Sequence, residues 1–367
     1  MRSIKALGAL LAGALALGAC TAPESGSSIP PSPETSISSP SPSESPSPAG
    51  TLRVVSGTMF SLPRELVAEF EQETGATVEF VVAPESVSVI DYLAQNADDL
   101  PGDVVVGLDN TVVGLARREG LVEPYESPAL PAESSQFVIE GLTPIDFGDV
   151  CVNADVEWFE ERETPIPTTL EELADPQYRD LLVMTDPSTS STGRSFLIAS
   201  IEIFDDQWRR YWQELDRNGI KLVRSWEIAY AQDFTGTEGG GERPLTIAFA
   251  SSPAYTLTTD EDGETVSRTV ALLGTCMRQI DFAAVLADAE QPELARQFID
   301  FLLSPQVQTA IPEAMFKYPV LSDIDLPENW REFAPLPQPP LYVEPEVLDE
   351  NLEDWLSEFS ELDLSHD

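Results

Sequence analysis

From residue 51 onward, short β-branched runs alternate with segments whose apolar residues fall at helical spacing. Leu52–Ser56 reads as a strand, Pro63–Thr74 as a helix carrying Leu66, Val67 and Phe70 on one face and stopped by Gly75, and Thr77–Val82 as a second strand. Ser88–Ala97 reads as a helix. Asp103–Gly107 is a near-continuous apolar run of the kind buried on both faces of a parallel sheet, and a helix over Thr111–Glu119 closes at Gly120. This alternation indicates an α/β domain with a parallel sheet. It pauses at Pro144–Gly148 and then resumes. Strands are expected at 150–152, 181–185, 222–225, 246–250, 269–276 and 282–285. Helices are expected at 169–174, 193–203, 206–217, 227–234, 292–303, 305–311 and 345–359.

The first fifty residues follow neither pattern. Arg2 and Lys5 precede an uncharged stretch, Ala6–Ala19, that is shorter than the roughly 20 apolar residues a membrane span needs. It ends Leu17-Gly18-Ala19-Cys20, which resembles the bacterial lipobox. The resemblance implies a signal peptide over 1–19 and lipidation of Cys20, and therefore a protein held at the outer face of the cell membrane by its anchor. Residues 21–50 contain 11 Ser and 8 Pro, a composition that stiffens a tether and buries nothing.

Charge narrows the partners. The chain of 367 residues carries 64 Asp and Glu against 20 Lys and Arg, a formal charge of −44. Nucleic acid and anionic lipid surfaces would be repelled, whereas a cation would be attracted. Because the single His is His366, near the end of the chain, no His-based catalytic triad or metal site is expected. With no G-x-S-x-G elbow either, an exported α/β hydrolase is set aside. The expectation is a non-enzymatic solute-binding protein, without cofactor, closing on its ligand like a hinge.

Several segments resemble the thiamine-binding substrate proteins of bacterial ABC importers: Gly102–Asn110, Asp146-Phe147-Gly148, Asp186–Gly193, Trp226–Tyr230 and Ser251–Tyr255, followed in order by Ser304-Pro305, Ala310–Pro312 and Tyr318–Val320. The resemblance spans about 51–325. It implies a two-lobe periplasmic-binding-protein-like type II fold whose hinge is two crossing strands, near 146–149 and 277–281. Lobe one would be 51–146 plus 280–312, and lobe two 148–277 plus 313–367. It also implies a monomer that serves permease and ATPase subunits. One segment departs from the family, which carries an aromatic or His followed by Asp-Ser-Phe after the first strand. Here the chain reads Ser56-Gly57-Thr58-Met59-Phe60, so one wall of the ligand cage is missing or supplied elsewhere.

The chemistry of the matched residues suits thiamine or a thiamine phosphate. Asp109, beside Asn110 at the carboxyl end of a buried strand, would counter the fixed charge of the thiazolium; it also suits the N-cap of the next helix. Trp226 and Tyr255, with Tyr230 one helical turn from Trp226, offer flat faces for the two rings; an ordinary core aromatic is the alternative, above all for Tyr230. Ser190, Ser191, Thr192 and Gly193 precede a helix and suit either an anion or plain capping. Cys151 and Cys276 flank the two expected crossings, close enough in an oxidising compartment to pair; two separate buried thiols is the alternative. A polyamine or another organic cation would satisfy the same charge. Ferric iron fits less well, since none of the 8 Tyr are adjacent. A tethered surface scaffold would need no ligand at all.

Overall fold

A computed structural model describes residues 50–364 apart from 85, 86, 138, 140 and 261. The signal peptide, Cys20 and the tether as far as residue 49, and His366, lie outside the described residues. The first strands are Thr51–Ser56 (β1), Thr77–Val82 (β2), Val104–Asp109 (β3), Val122–Glu123 (β4) and Thr143–Asp155 (β5). Then come Leu182–Thr185 (β6), Lys221–Val223 (β7), Leu245–Phe249 (β8), Leu257–Thr259 (β9), Thr265–Ser267 (β10), Thr269–Ala271 (β11), Met277–Leu286 (β12) and Tyr318–Pro319 (β13). The helices are Arg64–Thr74 (α1), Val89–Gln95 (α2), Val113–Arg118 (α3), Val156–Glu161 (α4), Ser191–Phe204 (α5), Trp208–Arg217 (α6), Pro292–Leu302 (α7), Pro305–Met315 (α8), Glu328–Phe333 (α9) and Pro345–Ser360 (α10).

One sheet runs in the order β2-β1-β3-β12-β5-β8-β6-β7. Its two ends, β2-β1-β3 and β8-β6-β7, are parallel and are connected through helices; its centre is antiparallel. Alternate residues of the parallel strands enter different cores. Val55, Val105 and Leu108 pack with Phe282 and Trp330, whereas Leu52, Val54, Val104 and Val106 pack with Phe70 and Phe298. Burial on both faces is why β3 reads as an unbroken apolar run. A separate core gathers Val152, Met184, Phe196, Trp212 and Ile247. The chain after Met315 contributes to both ends of the sheet: Tyr318, Val320 and Trp330 join the β1–β3 side, and Val343, Leu348 and Phe359 join the core of Trp212.

The long central strands differ most from the sequence pattern. β5 is 13 residues long and buried throughout, where the hydrophobic pattern predicts a strand only at 150–152 and the family resemblance a crossing near 146–149. Pro144, Asp146, Gly148 and Asp149 disguise it, yet each has a place. Asp149 is bound through both carboxyl oxygens by Arg278 of β12, with Nη2 at 3.1 Å from Oδ2. A Cβ on Gly148 would sit 2.8 Å from the Phe249 ring, so the strand needs glycine for close approach. The expected strand 269–276 instead divides into β11 and a 3-10 turn at Leu273–Thr275, where Thr275 Oγ1 accepts from the backbone N–H of Val152. Cys276 follows that turn and is joined by a disulfide to Cys151 of β5, with Cα atoms 4.2 Å apart.

Candidate functional site

The carboxyl ends of β3 and β6, the middle of β5 and β12, and the turns around them enclose a cavity of about 1000 Å³. Of the residues expected to meet a ligand, Asp109, Ser190, Ser191, Thr192, Trp226, Tyr230 and Tyr255 line it. Asn110 and Gly193 are not on its wall. Asn110 instead accepts from the N–H of Ile280 through Oδ1 at 3.0 Å, stitching β3 to β12. Gly193 lies against β6, where a Cβ would come 2.5 Å from the Thr185 carbonyl oxygen; this glycine permits helix–strand contact.

One wall is aromatic. Residues 228–233 wind as a π-helical turn instead of the expected α-helix, and the Tyr230 ring stacks on Trp226 at 4.6 Å and 13°. Trp226 Nε1 is buried without a hydrogen-bond acceptor. Burial pushes the Tyr230 phenol up to about 12, partly offset by a hydrogen bond with Ser252. Tyr255 is fixed at its hydroxyl, which donates to the Pro312 carbonyl at 2.6 Å and accepts from Trp330 Nε1 at 3.0 Å; its ring remains 39% exposed. Phe316 crosses that ring edge-on at 4.6 Å. Its backbone is left-handed, φ 58°, the conformation that turns the chain at the end of α8 and sets Lys317 on the cavity wall. The segment Gly57-Thr58-Met59-Phe60, which departs from the expected family sequence, lines the same cavity.

The floor is ionic. Asp109, Asp281 and Asp146 occupy one rung of three adjacent strands: Asp281 of β12 is opposite Asp109 of β3 on one side and Asp146 of β5 on the other. Arg194 of α5 brings Nη2 to 3.5 Å from Asp109 Oδ2, and Thr111 donates to Asp109 Oδ1 through its N–H at 2.9 Å and through its hydroxyl. Asp109 is therefore already countered and satisfied within the chain, which is not the free carboxylate its sequence position suggests. Lys317 hydrogen-bonds Asp281 and lies 3.6 Å from Asp146. Burial works against the Lys317 ammonium, but Asp281, and Asp146 when it is ionised, hold it above its ordinary range. Desolvation raises the Asp146 carboxyl to about 8, opposed by Lys317 and reinforced by Asp281.

Arg194, Asp281 and Lys317 were not singled out from the sequence, and Asp146 stood there only as part of the Asp146-Phe147-Gly148 motif, without a role at the site. A signal existed for Asp281 and Lys317. Asp281 is a lone acid inside the apolar run Ile280–Leu286, and Lys317 is one of only three Lys, with Lys5 and Lys221.

Residues 99–339 match the family described as bacterial extracellular solute-binding protein. The chain belongs to this family. The solute-binding protein is 26% identical over 294 residues to the thiamine-binding periplasmic protein of Escherichia coli (strain K12), covering 79% of this chain and 85% of that one. Its structure is similar to that of a periplasmic thiamin binding protein with a TM-score of 0.71 and 25% identity, over 85% of this chain and 96% of the other. It is also similar to iron-bound HitA from Pseudomonas aeruginosa, with a TM-score of 0.64 and 19% identity over 86% and 99% of the two chains. The architecture is the type II periplasmic-binding fold, and the relatives are binding proteins rather than enzymes. The solute-binding protein acts outside the cytoplasm, as its family does.

Proposed function

We propose that this solute-binding protein captures thiamine, or a thiamine phosphate, and delivers it to an ABC importer. The observation that carries the reading is a single cavity lined by both an aromatic wall (Trp226, Tyr230 and Tyr255) and an acidic floor. A flat cation needs both. Its rings gain from stacking, its charge gains about 0.5–2 kcal/mol from each aromatic face, and its remaining charge needs a carboxylate. Asp109, Asp146 and Asp281 outnumber Arg194 and Lys317 at the floor by one negative charge when all are ionised. The similarity to thiamine-binding periplasmic proteins supports the same ligand. An anion subsite formed by Ser190, Ser191 and Thr192, at the start of the 14-residue helix α5, would suit the phosphate of a thiamine phosphate.

A hinge of β5 and β12 would let lobe one (51–146 with 280–312) and lobe two (148–277) close on this ligand. The segment 313–367 would not go to lobe two as a whole, as expected: Tyr318, Val320 and Trp330 join lobe one, and Val343, Leu348 and Phe359 join lobe two. Lipidation of Cys20 would hold the monomer beside its permease and ATPase. Purification from cells grown with thiamine, followed by mass spectrometry of the small molecules released on denaturation, tests the ligand. Thiamine or a phosphate ester is expected. Recovery of a polyamine instead would replace the reading.

A further inference from the structure

The three carboxylates at the floor are not equivalent. Asp109 accepts from Thr111 with one oxygen and faces Arg194 with the other. Asp281 accepts from Gln279 Nε2 at 3.1 Å with Oδ1 and holds Lys317 with Oδ2. Asp146 is 1% exposed and lines the cavity, but its Oδ1 makes no hydrogen bond; the nearest cation, Lys317, is held by Asp281. An orphaned carboxylate oxygen at this depth is costly, and a protein retains one where something else completes it. Gln279 Oε1 and Trp226 Nε1, also buried without partners, line the same cavity.

The charge balance points the same way. Without Asp146, the floor is neutral: Asp109 and Asp281 against Arg194 and Lys317. A thiazolium entering a neutral floor would bury a net positive charge, whereas a simultaneous loss of one proton from the floor keeps it neutral. The groups facing Asp146 are Asp281 from β12, Lys317 from the turn after α8, Asp109 from β3 and, beyond it, Arg194 from α5. Asp149 and Arg278 lie farther along the same two strands and neutralise each other. Tyr318 belongs to β13, whose Pro319 is opposite Asp146. Of these, Asp146 is the group whose neutral form burial favours most clearly, its carboxyl being raised to about 8.

Building on the thiamine reading, we propose that Asp146 is the specificity-determining carboxylate of this cleft: it keeps its proton in the ligand-free protein and yields it to solvent as the thiazolium enters, so that cation and proton exchange one for one.

The test is calorimetric titration of the whole protein with thiamine at about pH 7 in two buffers of different ionisation enthalpy, phosphate and Tris. The expected result is a difference in apparent enthalpy that corresponds to nearly one proton released per thiamine, shrinking several-fold at about pH 9. An analogue whose thiazolium is replaced by a neutral thiophene ring should release none. Asp146→Asn should weaken thiamine by at least about tenfold, the equivalent of one pKa unit, leave the neutral analogue within about twofold, and abolish the buffer dependence. Thiamine binding with equal heats in both buffers at about pH 7 overturns the inference on the unmodified protein, whatever the variant does, and leaves the thiamine reading intact. So does loss of discrimination in Asp109→Asn together with its retention in Asp146→Asn. Absence of any thiamine binding by the unmodified protein removes the thiamine reading, and the inference with it.

Discussion

Arg194 reaches from α5 to the carboxyl end of β3 and places Nη2 3.5 Å from Asp109 Oδ2, with both side chains almost fully buried. The pair ties together elements that serve different cores, since Phe196 and Leu197 of α5 pack with Trp212 whereas Leu108 of β3 packs with Phe282. Removing one member leaves an uncompensated buried charge, which costs more than the pair contributes.

Arg194→Ala should therefore lower unfolding stability by about 3 kcal/mol, and adding Asp109→Asn should recover part of that loss. Urea unfolding of the two single variants and the double variant completes the cycle. Additive losses would mean that the two groups do not sense each other.

Trp226→Ala should weaken thiamine binding by about 1–3 kcal/mol, the range for loss of an aromatic stacking partner. Its indole is stacked only on Tyr230 among the ring pairs it makes, and stands at the cavity wall, so folding stability should change much less than affinity. Titration by intrinsic fluorescence, using the remaining Trp residues, and a thermal melt separate the two effects. An equal loss in both would make Trp226 a packing residue.

Acidity acts on the central strands. Burial raises the carboxyls of Asp146, to about 8, and of Asp149. Asp149 is opposed in this by its Arg278 partner, whereas Asp146 holds its proton in the folded chain where the unfolded chain has already lost it. The Asp146 contribution to stability is present in full below about pH 4 and is lost as the pH rises through about 8. Asp146→Asn should flatten the pH dependence of stability between about pH 5 and 8 by up to about 1.4 kcal/mol per unit. Unfolding midpoints at three pH values measure it; an unchanged slope would place the titration elsewhere.

Reduction of the Cys151–Cys276 disulfide, which closes a loop of sequence separation 125, should lower stability by about 2–5 kcal/mol. The Cys151→Ser, Cys276→Ser variant should melt at the same lowered temperature with or without reductant. A melting temperature insensitive to reductant in the parent protein would show the bond to be absent or without energetic effect.

What the sequence discloses follows from the range of the interactions involved. β1, β2, β3 and α5 are legible because their hydrophobic periodicity is local and strong. α8 runs past Pro312 to Met315, beyond the expected end at 311, because tertiary packing of Ile311, Pro312 and Met315 overrides local propensity. β5 is hidden because its polar residues are paid for by partners far along the chain: Asp149 by Arg278, and Asp146 in part by Lys317. The hairpin β9–β10 escapes notice since its strands are short, Thr-rich and exposed. At the site, Trp226 and Tyr255 stand in recognisable segments, and both line the cavity. The neutralisation of Asp109 depends on Arg194, and the rung of Asp109, Asp281 and Asp146 depends on strand register; neither is a local property of the sequence.

Equilibrium dialysis of the purified protein against radiolabelled thiamine tests the central claim most directly. One mole of thiamine per mole of protein should be retained saturably, displaced by unlabelled thiamine and not by a similar excess of spermidine or ferric citrate. No retention of label, or displacement by spermidine as effective as by thiamine itself, would contradict the account.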